Sequence, residues 1–354
     1  MNAAGPDHRI QERRLILAAT RGDETAFGQL VEPLRGELHA HCYRMLGSVQ
    51  DAEDALQDTI LRAWRAMKRF EGRSSFRSWL YTIATNASLD LLQKRKKRHL
   101  ATEYGPPTEA FDGPGQPLVE SVWIEPYPSE EISLEDGFAT PEARYEQRES
   151  VELAFVAALQ HLPASQRAVL ILREVLGFTA KEVADTLETT VASVTSALQR
   201  ARATIEKHLP DQSQQETLRT LGDEGIREIV EGYMEAWERG DVEAVAAMLT
   251  REAALSMPPM ATWYRGDEVF VFLNKWAFSG KVYDAEGRRK VRVVPTIASG
   301  QLAFGTYSWD IEREIHLPTV LQILTLDGSK IEEITGFVTP AAFEKFGLPA
   351  SLPD

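Results

Sequence analysis

Three aspartates recur along one stretch of the sequence at spacings that could present negative charge to a partner. Asp51, Asp54 and Asp58 lie in DAEDALQDTILRAW, where Asp54 and Asp58 are separated by one helical turn. Two like charges on one helix face weaken an isolated helix slightly, so a basic partner surface would give this acidic row a role. The alternative is a solvated face on which Asp58 pairs with Arg62.

Positive charge is concentrated further along the chain, in the basic block KRKKR from Lys94 to Arg98. A Gly/Ser loop at Gly72–Ser75 precedes the helical stretch that ends in this block. Single-stranded nucleic acids are held by aromatic stacking and by phosphate contacts, so a loop next to Phe76 and Trp79 could hold an unstacked base. Core packing is the alternative for both aromatic residues, because they repeat at the spacing of a buried helix face.

The residues from 165 to 209 have the layout of a helix-turn-helix. SQRAVLILREVLG predicts a first helix that ends at Gly177, and Thr179 to Glu182 has the form of a capping box that opens a second helix. The third helix is expected to bury an apolar row that begins at Val191. Its outward residues could contact base edges and phosphates in a major groove. They are Ser193, Thr195, Ser196, Gln199, Arg200 and Arg202.

The elements that must position these residues belong to a chain of 354 residues, long enough for two or three domains. No run approaches the roughly 20 apolar residues of a membrane span, and the N-terminus does not have the pattern of a secretory signal. We therefore expect a cytoplasmic protein with no membrane contact. The only cysteine, Cys42, excludes an internal disulfide and a cysteine metal cluster, and we expect neither a metal nor a cofactor.

Composition divides the chain into four segments and predicts a multidomain fold with an all-α N-terminal half and an α+β C-terminal domain. Residues 11–100 and 151–210 are helical in pattern. Between them, residues 101–150 form an acidic, Pro/Gly-rich segment that predicts an extended or mobile linker. Residues 221–345 begin with an amphipathic helix and continue with strand-like runs, of which two flank a hairpin turn at Asp327-Gly328.

These patterns carry a resemblance to a known family. DAEDALQDTILRAWRAMKRF and FRSWLYTIATNASLDLLQKRKKR resemble region 2 of the extracytoplasmic-function (ECF) sigma factors of the sigma-70 family, and LPASQRAVLILREVLGFTAKEVADTL with SVTSALQRAR resembles region 4. The resemblance implies an alternative sigma factor that binds core RNA polymerase and promoter DNA without catalysing a reaction. It implies that the helix-turn-helix reads the minus-thirty-five element, although Thr195 and Ala197 stand where the family commonly has Lys and Arg.

The resemblance to region 2 also assigns individual residues. Those expected to bind polymerase are Asp51, Asp54, Leu56, Gln57 and Asp58. Those expected at or near the melted strand of the minus-ten element are Arg73, Ser74, Ser75, Asn86, Asp90 and Arg95.

The C-terminal segment resembles a SnoaL-like cone fold over residues 222–340, and Trp123 to Pro128 (WIEPYP) resembles the linker motif of sigma-G-like factors that carry such a domain. This implies regulation in cis by the C-terminal domain. The fold encloses an apolar pocket that could bind an unknown small molecule. Aromatic and sulfur side chains expected to line the pocket are Met257, Trp263, Tyr264, Trp276, Tyr307 and Trp309.

Two other functions stay open at this point. A small-molecule-responsive regulator could bind DNA without docking on polymerase, but it would have no need of the acidic row at Asp51. A pocket enzyme would need a carboxylate or histidine with a shifted pKa, for which Asp310, Glu312, His316 and Glu333 are candidates. No paired acid/base spacing compels catalysis, so we expect a protein that is not an enzyme.

Overall fold

A computed structural model describes residues 6–118, 122–128, 148–278 and 290–353. The chain forms two compact units, and each combines segments that are distant in sequence. Residues 1–98 and 131–209 make up the helical unit, and residues 99–130 and 210–354 make up the α+β unit.

The helical unit begins with five helices. They are α1 (Pro6–Thr20), α2 (Glu24–Val31), α3 (Arg35–Leu46), α4 (Val49–Ala66) and α5 (Phe76–Leu92). Serine side chains open two of them, because Ser48 Oγ accepts the amide N–H of Asp51 and Ser75 Oγ accepts that of Ser78. Gly47 ends α3 with a φ of 69°, a left-handed conformation that favours glycine.

The apolar stripe of α4 is buried as its periodicity predicts. Ala52, Ala55, Leu56, Ala63 and Met67 all have less than 2% of their surface exposed, and α4 packs against α3 and α5. Aromatic rings extend this core, with ring centroids of Phe27 and Trp64 5.2 Å apart and those of Phe70 and Trp79 4.9 Å apart. Burial of this stripe fixes which residues of α4 face outward.

A buried ion pair connects the start of α4 to the end of the basic block. Asp51 is only 4% exposed, and its carboxylate lies 2.7 Å from Arg98 and 3.1 Å from Arg95. Arg98 is itself 6% exposed, whereas Lys94, Lys96 and Lys97 are exposed. The expectation that Asp51 faces a partner is therefore wrong for this structure, because its charge is neutralised inside the helical unit.

In the second part of the helical unit, the described residues from 151 to 209 form four more helices. They are α7 (Leu153–Gln160), α8 (Ala164–Leu170), α9 (Ala180–Thr186) and α10 (Val191–Ile205), and a π-helical turn continues α8 over Ile171–Val175. The predicted capping box is present, because Glu182 accepts the Thr179 amide at 2.8 Å and Thr179 Oγ1 accepts the Glu182 amide at 3.2 Å. The first of these bonds lowers the pKa of Glu182. Val191, expected in the core, is 48% exposed because it occupies the first turn of α10.

Polar and aromatic contacts join the two parts of the helical unit. The Arg44 guanidinium donates to Ser150 Oγ at 2.7 Å, and Arg167 donates to the carbonyl oxygen of Met45. The rings of Tyr81 and Phe178 lie 5.4 Å apart. Both arginines are buried, so this junction is a desolvated interface.

The α+β unit has a six-stranded sheet in the order β2-β1-β6-β5-β4-β3, in which β1 and β6 are parallel and all other pairs are antiparallel. The strands are β1 (Leu249–Ser256), β2 (Trp263–Arg265), β3 (Val291–Ala298), β4 (Gln301–Asp310), β5 (Ile315–Asp327) and β6 (Lys330–Phe337). The predicted hairpin at Asp327-Gly328 is confirmed, with Asp327 paired to Lys330.

Three helices cover one face of this sheet. They are α11 (Gln214–Arg239), α12 (Val242–Met248) and α13 (Asp267–Phe272). A kink divides α11 at Gly222, whose φ of 65° and ψ of 177° are not helical. A π-helical turn follows α13 over Leu273–Ala277. The polar stretch that opens α11 is bonded to the sheet, since the amide group of Gln214 both donates to and accepts from the backbone of Leu326. The opposite sheet face packs against a 3₁₀ helix at Pro340–Phe346.

Residues 99–118 and 122–128 belong to the α+β unit, which corrects the expectation of one extended or mobile linker over residues 101–150. A short helix, α6 (Ala101–Tyr104), opens this segment. His99 pairs with Trp123, Pro117 with Met260, and Pro128 with Ala298. The Trp123 indole donates to the Pro259 carbonyl oxygen at 3.1 Å. Composition suggested mobility, but side chains of the C-terminal domain hold this backbone in place.

We expect Asp51→Ala to destabilise α4 and α5 by about 3 kcal/mol, because a buried arginine would lose its carboxylate partner. Native-state hydrogen exchange of amides in the two helices measures this free energy. Asp54→Ala, an exposed change one turn away, is the matched control and should alter the same value by less than about 0.5 kcal/mol. Equal effects of the two substitutions would contradict the anchoring role of Asp51.

Candidate nucleic-acid interface

The outward face of α4 retains part of the predicted acidic row. Asp54 and Gln57 are exposed and Asp58 is half-exposed, whereas Asp51 and Leu56 are buried. The last two face inward because they share the apolar side of the helix. Of the residues expected to bind polymerase, the structure leaves Asp54, Gln57 and Asp58 accessible.

Leu61 adds an apolar side chain to this outward face and was missed in the sequence analysis. It is 54% exposed and lies one turn beyond Asp58. A signal for it was present, because Leu61 lies outside the stripe that contains Ile60, Ala63 and Trp64. The face is therefore a row of acidic and amide groups that ends in an exposed leucine.

Arg62 bridges the outward faces of α4 and α5. Its guanidinium lies 2.6 Å from Asp58 and 2.8 Å from Asp90, and hydrogen bonds to these carboxylates raise the pKa of Arg62. The alternative considered for Asp58, a pair with Arg62, is thus present. Because all three side chains are about half exposed, solvent weakens these ion pairs.

The loop before α5 forms an open cleft. It has a volume of about 280 Å³ and is lined by Arg69, Phe70, Glu71, Gly72, Arg73, Ser74 and Trp79. Arg73 is almost fully exposed and pairs with Glu71 at its rim. Trp79 is partly exposed in the cleft while Phe76 is buried beneath it, so the core alternative holds for Phe76. The cleft combines an aromatic wall with cationic groups.

Other residues predicted to lie near the melted strand are also accessible. Asn86 and Asp90 are exposed and lie one turn apart on α5. Arg95 is 53% exposed although it also contacts Asp51. Ser75 is exposed and caps the helix. The structure therefore brings this set to the surface along α5 and its preceding loop.

The recognition helix α10 presents its whole predicted set. Ser193, Thr195, Ser196, Gln199, Arg200 and Arg202 are all exposed, whereas Val194 and Leu198 are buried. Thr190 caps the helix by accepting the amide N–H of Ser193. Arg202 donates from Nε to Glu174 at 2.6 Å, which holds its side chain against the π-helical turn that follows α8. The exposed side of α10 carries hydroxyl, amide and guanidinium groups.

The six residues expected to line a pocket in the C-terminal domain do not converge on one cavity. Tyr264 and Met257 pack with the core of the helix-covered face, whereas the Tyr307 hydroxyl donates to Pro349 on the opposite face. Trp309 packs against the ring of His316. Trp263 and Trp276 donate to the backbone of the segment that follows His99. This correction has a simple cause, because neighbouring strand residues point to opposite faces.

The candidate acid/base residues are separated in the same way. Burial raises the pKa of Glu333, which lies near the hydroxyl groups of Thr335 (3.1 Å) and Ser256 (3.5 Å). Asp310 accepts the amides of Glu312 and Arg313 and so caps a turn. The structure does not assemble these groups into an acid/base pair.

The described residues contain no group of three or more His, Cys, Asp or Glu side chains that could hold a metal ion. In the same residues, no helix combines the length and apolar character that crossing a membrane requires.

Comparison with protein families matches three parts of the chain. Sigma-70 region 2 matches residues 30–98, sigma-70 region 4 matches residues 152–205, and a SnoaL-like domain matches residues 230–334. The first two matches cover the exposed faces of α4, α5 and α10. The third covers most of the sheet and the end of α11.

Similar proteins differ in how much of this chain they match. The chain is 39% identical to the ECF RNA polymerase sigma factor SigG of Mycobacterium tuberculosis, over 96% of this chain and 91% of that protein. It is 27% identical to SigW of Bacillus subtilis over 56% of this chain and 97% of SigW. The crystal structure of SigJ from M. tuberculosis shares the fold, with a TM-score of 0.54 and 19% identity over 91% of this chain and 99% of SigJ. The chain therefore belongs to the ECF sigma factors of the sigma-70 family and carries a C-terminal SnoaL-like domain.

Proposed function

We propose that this sigma factor docks on core RNA polymerase through the outward face of α4, formed by Asp54, Gln57, Asp58 and Leu61. The single observation that carries this proposal is the combination of carboxylates and an exposed leucine on one face. A basic surface with an apolar contact for Leu61 would neutralise the carboxylates and remove apolar area from water. The action would be binding rather than catalysis, in the cytoplasm with polymerase.

The cleft at Arg73 and Trp79 is suited to a single strand of the minus-ten element. An aromatic wall can stack a base, which contributes about 1–3 kcal/mol per base, and nearby guanidinium groups attract phosphates. Asn86 and the cations after α5 extend the polar surface beyond the cleft. These features support Arg73, Ser74, Ser75, Asn86, Asp90 and Arg95 as the strand-binding set.

The exposed face of α10 is suited to a major groove at the minus-thirty-five element. Ser193, Thr195 and Ser196 lie in its first two turns, where recognition helices contact base edges. Gln199 has the two-sided amide that pairs with adenine, whereas Arg200 suits a phosphate. Arg202 would have to leave Glu174 to make such a contact.

We also infer that the C-terminal domain regulates transcription in cis by masking polymerase or DNA contacts. Support comes from segment 99–128, which follows directly on the basic block and is held by that domain. An unknown small molecule bound by the domain would then be able to change the activity of the sigma regions.

Charge reversal tests the polymerase face. We expect Asp54→Lys with Asp58→Lys to weaken the affinity of the full chain for core polymerase by at least about tenfold, since two attractive contacts become repulsive. Fluorescence anisotropy of the labelled chain titrated with core enzyme measures the affinity. Glu24→Lys with Glu32→Lys, on α2 and its 3₁₀ extension, is the control for net charge. If the folded Asp54→Lys, Asp58→Lys variant assembled with core polymerase as well as the unmodified chain does, the proposal would be wrong.

Salt dependence separates phosphate contacts from base contacts on α10. We expect Arg200→Ala to weaken holoenzyme binding at all promoters tested and to reduce the slope of log affinity against log salt by about 1. Gln199→Ala should leave the slope unchanged and relax the base preference at one position. If both variants altered the slope equally, the assignment of these two roles would be wrong.

Removing the C-terminal domain tests regulation in cis. The truncated variant lacks residues 211–354 and carries a Gly/Ser linker of equal length in place of residues 99–130, because these residues lose the domain on which they pack. We expect reconstituted transcription to increase with this variant. The control makes the same linker replacement in the full chain. Equal transcription by the truncated and full-length proteins would contradict masking.

A further inference from the structure

Side chains of the C-terminal domain recognise the backbone of one short segment of the chain, residues 105–114. The Trp263 and Trp276 indoles donate to the carbonyl oxygens of Gly105 and Ala110, each at 2.7 Å. The Tyr264 hydroxyl donates to the carbonyl oxygen of Gly113 at 2.8 Å. These bonds are made to main-chain groups, so they select a backbone conformation, which includes a 3₁₀ turn over Ala110–Asp112, rather than particular polar side chains.

Both main-chain groups of one residue are recognised at the centre of this segment. The amide N–H of Ala110 donates to Glu268 at 2.6 Å, and its carbonyl oxygen accepts from Trp276. Ala110 is fully buried and joins the core of the helix-covered face. A carboxylate acceptor and an indole donor thus hold the two peptide units that flank Ala110. The apolar cluster beneath them includes Phe272, whose ring stacks on that of Tyr264 at 4.6 Å.

A π-helical turn supplies two of the groups involved. Lys275 and Trp276 lie in the turn Leu273–Ala277, and π-turns often occur at functional sites. The Lys275 ammonium donates to the carbonyl oxygen of Phe111 at 3.1 Å and lies 3.2 Å from the centroid of the Phe111 ring. Phe111 is nevertheless 72% exposed, so the domain contacts one face of the ring and leaves the rest in water.

Two further contacts hold segment 105–114, one at the edge of the sheet and one at a glycine. The Thr108 amide donates to the carbonyl oxygen of Trp263 at 2.7 Å, a main-chain bond to the edge strand β2. Gly113 has a φ of 80°, and a Cβ atom there would lie 2.9 Å from the Trp276 ring. The site therefore accepts a small residue, an aromatic residue and, two positions later, a glycine.

We propose that the C-terminal domain is a peptide receptor whose resident ligand is its own segment 105–114, and that a peptide with an Ala-Phe-x-Gly pattern, which forms the same 3₁₀ turn, can replace that segment in trans. Trp263, Tyr264, Glu268, Lys275 and Trp276 are the recognition residues. The resident segment competes at the high effective concentration of a tethered ligand, so a peptide partner binds only after the segment is loosened. This binding site does not depend on polymerase or DNA.

A labelled peptide tests the receptor directly. The probe is a fluorescent synthetic peptide with the sequence of residues 104–115, YGPPTEAFDGPG, titrated with full-length chain. We expect Gly113→Ala to loosen the resident segment and to raise peptide affinity at least about tenfold over the unmodified chain. Gly105→Ala is the matched control, because its Cβ would meet no atom within 4 Å and its φ is extended. It should bind the peptide as weakly as the unmodified chain.

A second variant ties binding to the named residues. Adding Tyr264→Phe to Gly113→Ala removes only the donor to the Gly113 carbonyl oxygen, so peptide affinity should fall several-fold. A peptide with alanine in place of the second glycine of the probe should bind poorly to all variants. Equal peptide affinity of the Gly113→Ala and Gly105→Ala chains would overturn the proposal. Dimerisation of the Gly113→Ala chain without peptide binding would overturn it as well.

Hydrogen exchange keeps the test decisive if Gly113→Ala folds poorly. In the otherwise unmodified chain, Trp276→Phe removes one donor to the segment, and amides of residues 105–114 should then exchange faster while those of β4 and β5 do not change. Excess probe peptide should protect α13 in this variant. Absence of both effects would show that the segment is ordinary core packing.

Discussion

The first part of the helical unit depends on one buried ion pair, in which the Asp51 carboxylate neutralises the Arg98 guanidinium. Arg98 is enclosed where α3 turns into α4, and Asp51 supplies the carboxylate that makes this burial tolerable. The same contact fixes the path of the chain after α5, so the exposed lysines of the basic block project from a defined point. The outward face of α4 and the exposed face of α5 that we propose to bind the melted strand are thus parts of one electrostatic arrangement, to which Arg62 adds a second connection.

Much of this architecture could be predicted from the sequence because periodicity and capping are local. The buried stripe of α4, the capping box at Thr179 and the outward set on α10 all follow from spacings within one helix. The inward orientation of the Asp51 side chain could not be predicted, because it depends on an ion pair with Arg98, which lies far along the chain. Val191 shows that apolar periodicity alone does not establish burial, since a residue at the start of a helix can match the apolar period and still face solvent.

The α+β unit was predicted less completely because its contacts are long-range. The last four strands were recognised from their composition, but β1 and β2 were not. β1 pairs with β6, the last strand along the chain, so its partner is far away in sequence. The pocket interpretation relied on residue type alone, and alternation along strands sends Trp263 and Tyr264 to opposite faces. Proline and glycine suggested mobility in residues 101–150, whereas hydrogen bonds to the C-terminal domain hold residues 99–118 and 122–128 in place.

Arg167 has a different environment from Arg98. Its acceptors are the carbonyl oxygens of Met45, Gln160 and Leu162 and the side-chain oxygen of Gln160, and burial lowers its pKa to about 10. Exposure of such a guanidinium to water breaks no ion pair and leaves no buried carboxylate without its partner. The guanidinium also regains its hydration free energy. The junction between the two helical parts therefore has a chemistry compatible with reversible separation, a property that two DNA-reading modules need if their target elements lie far apart on one promoter.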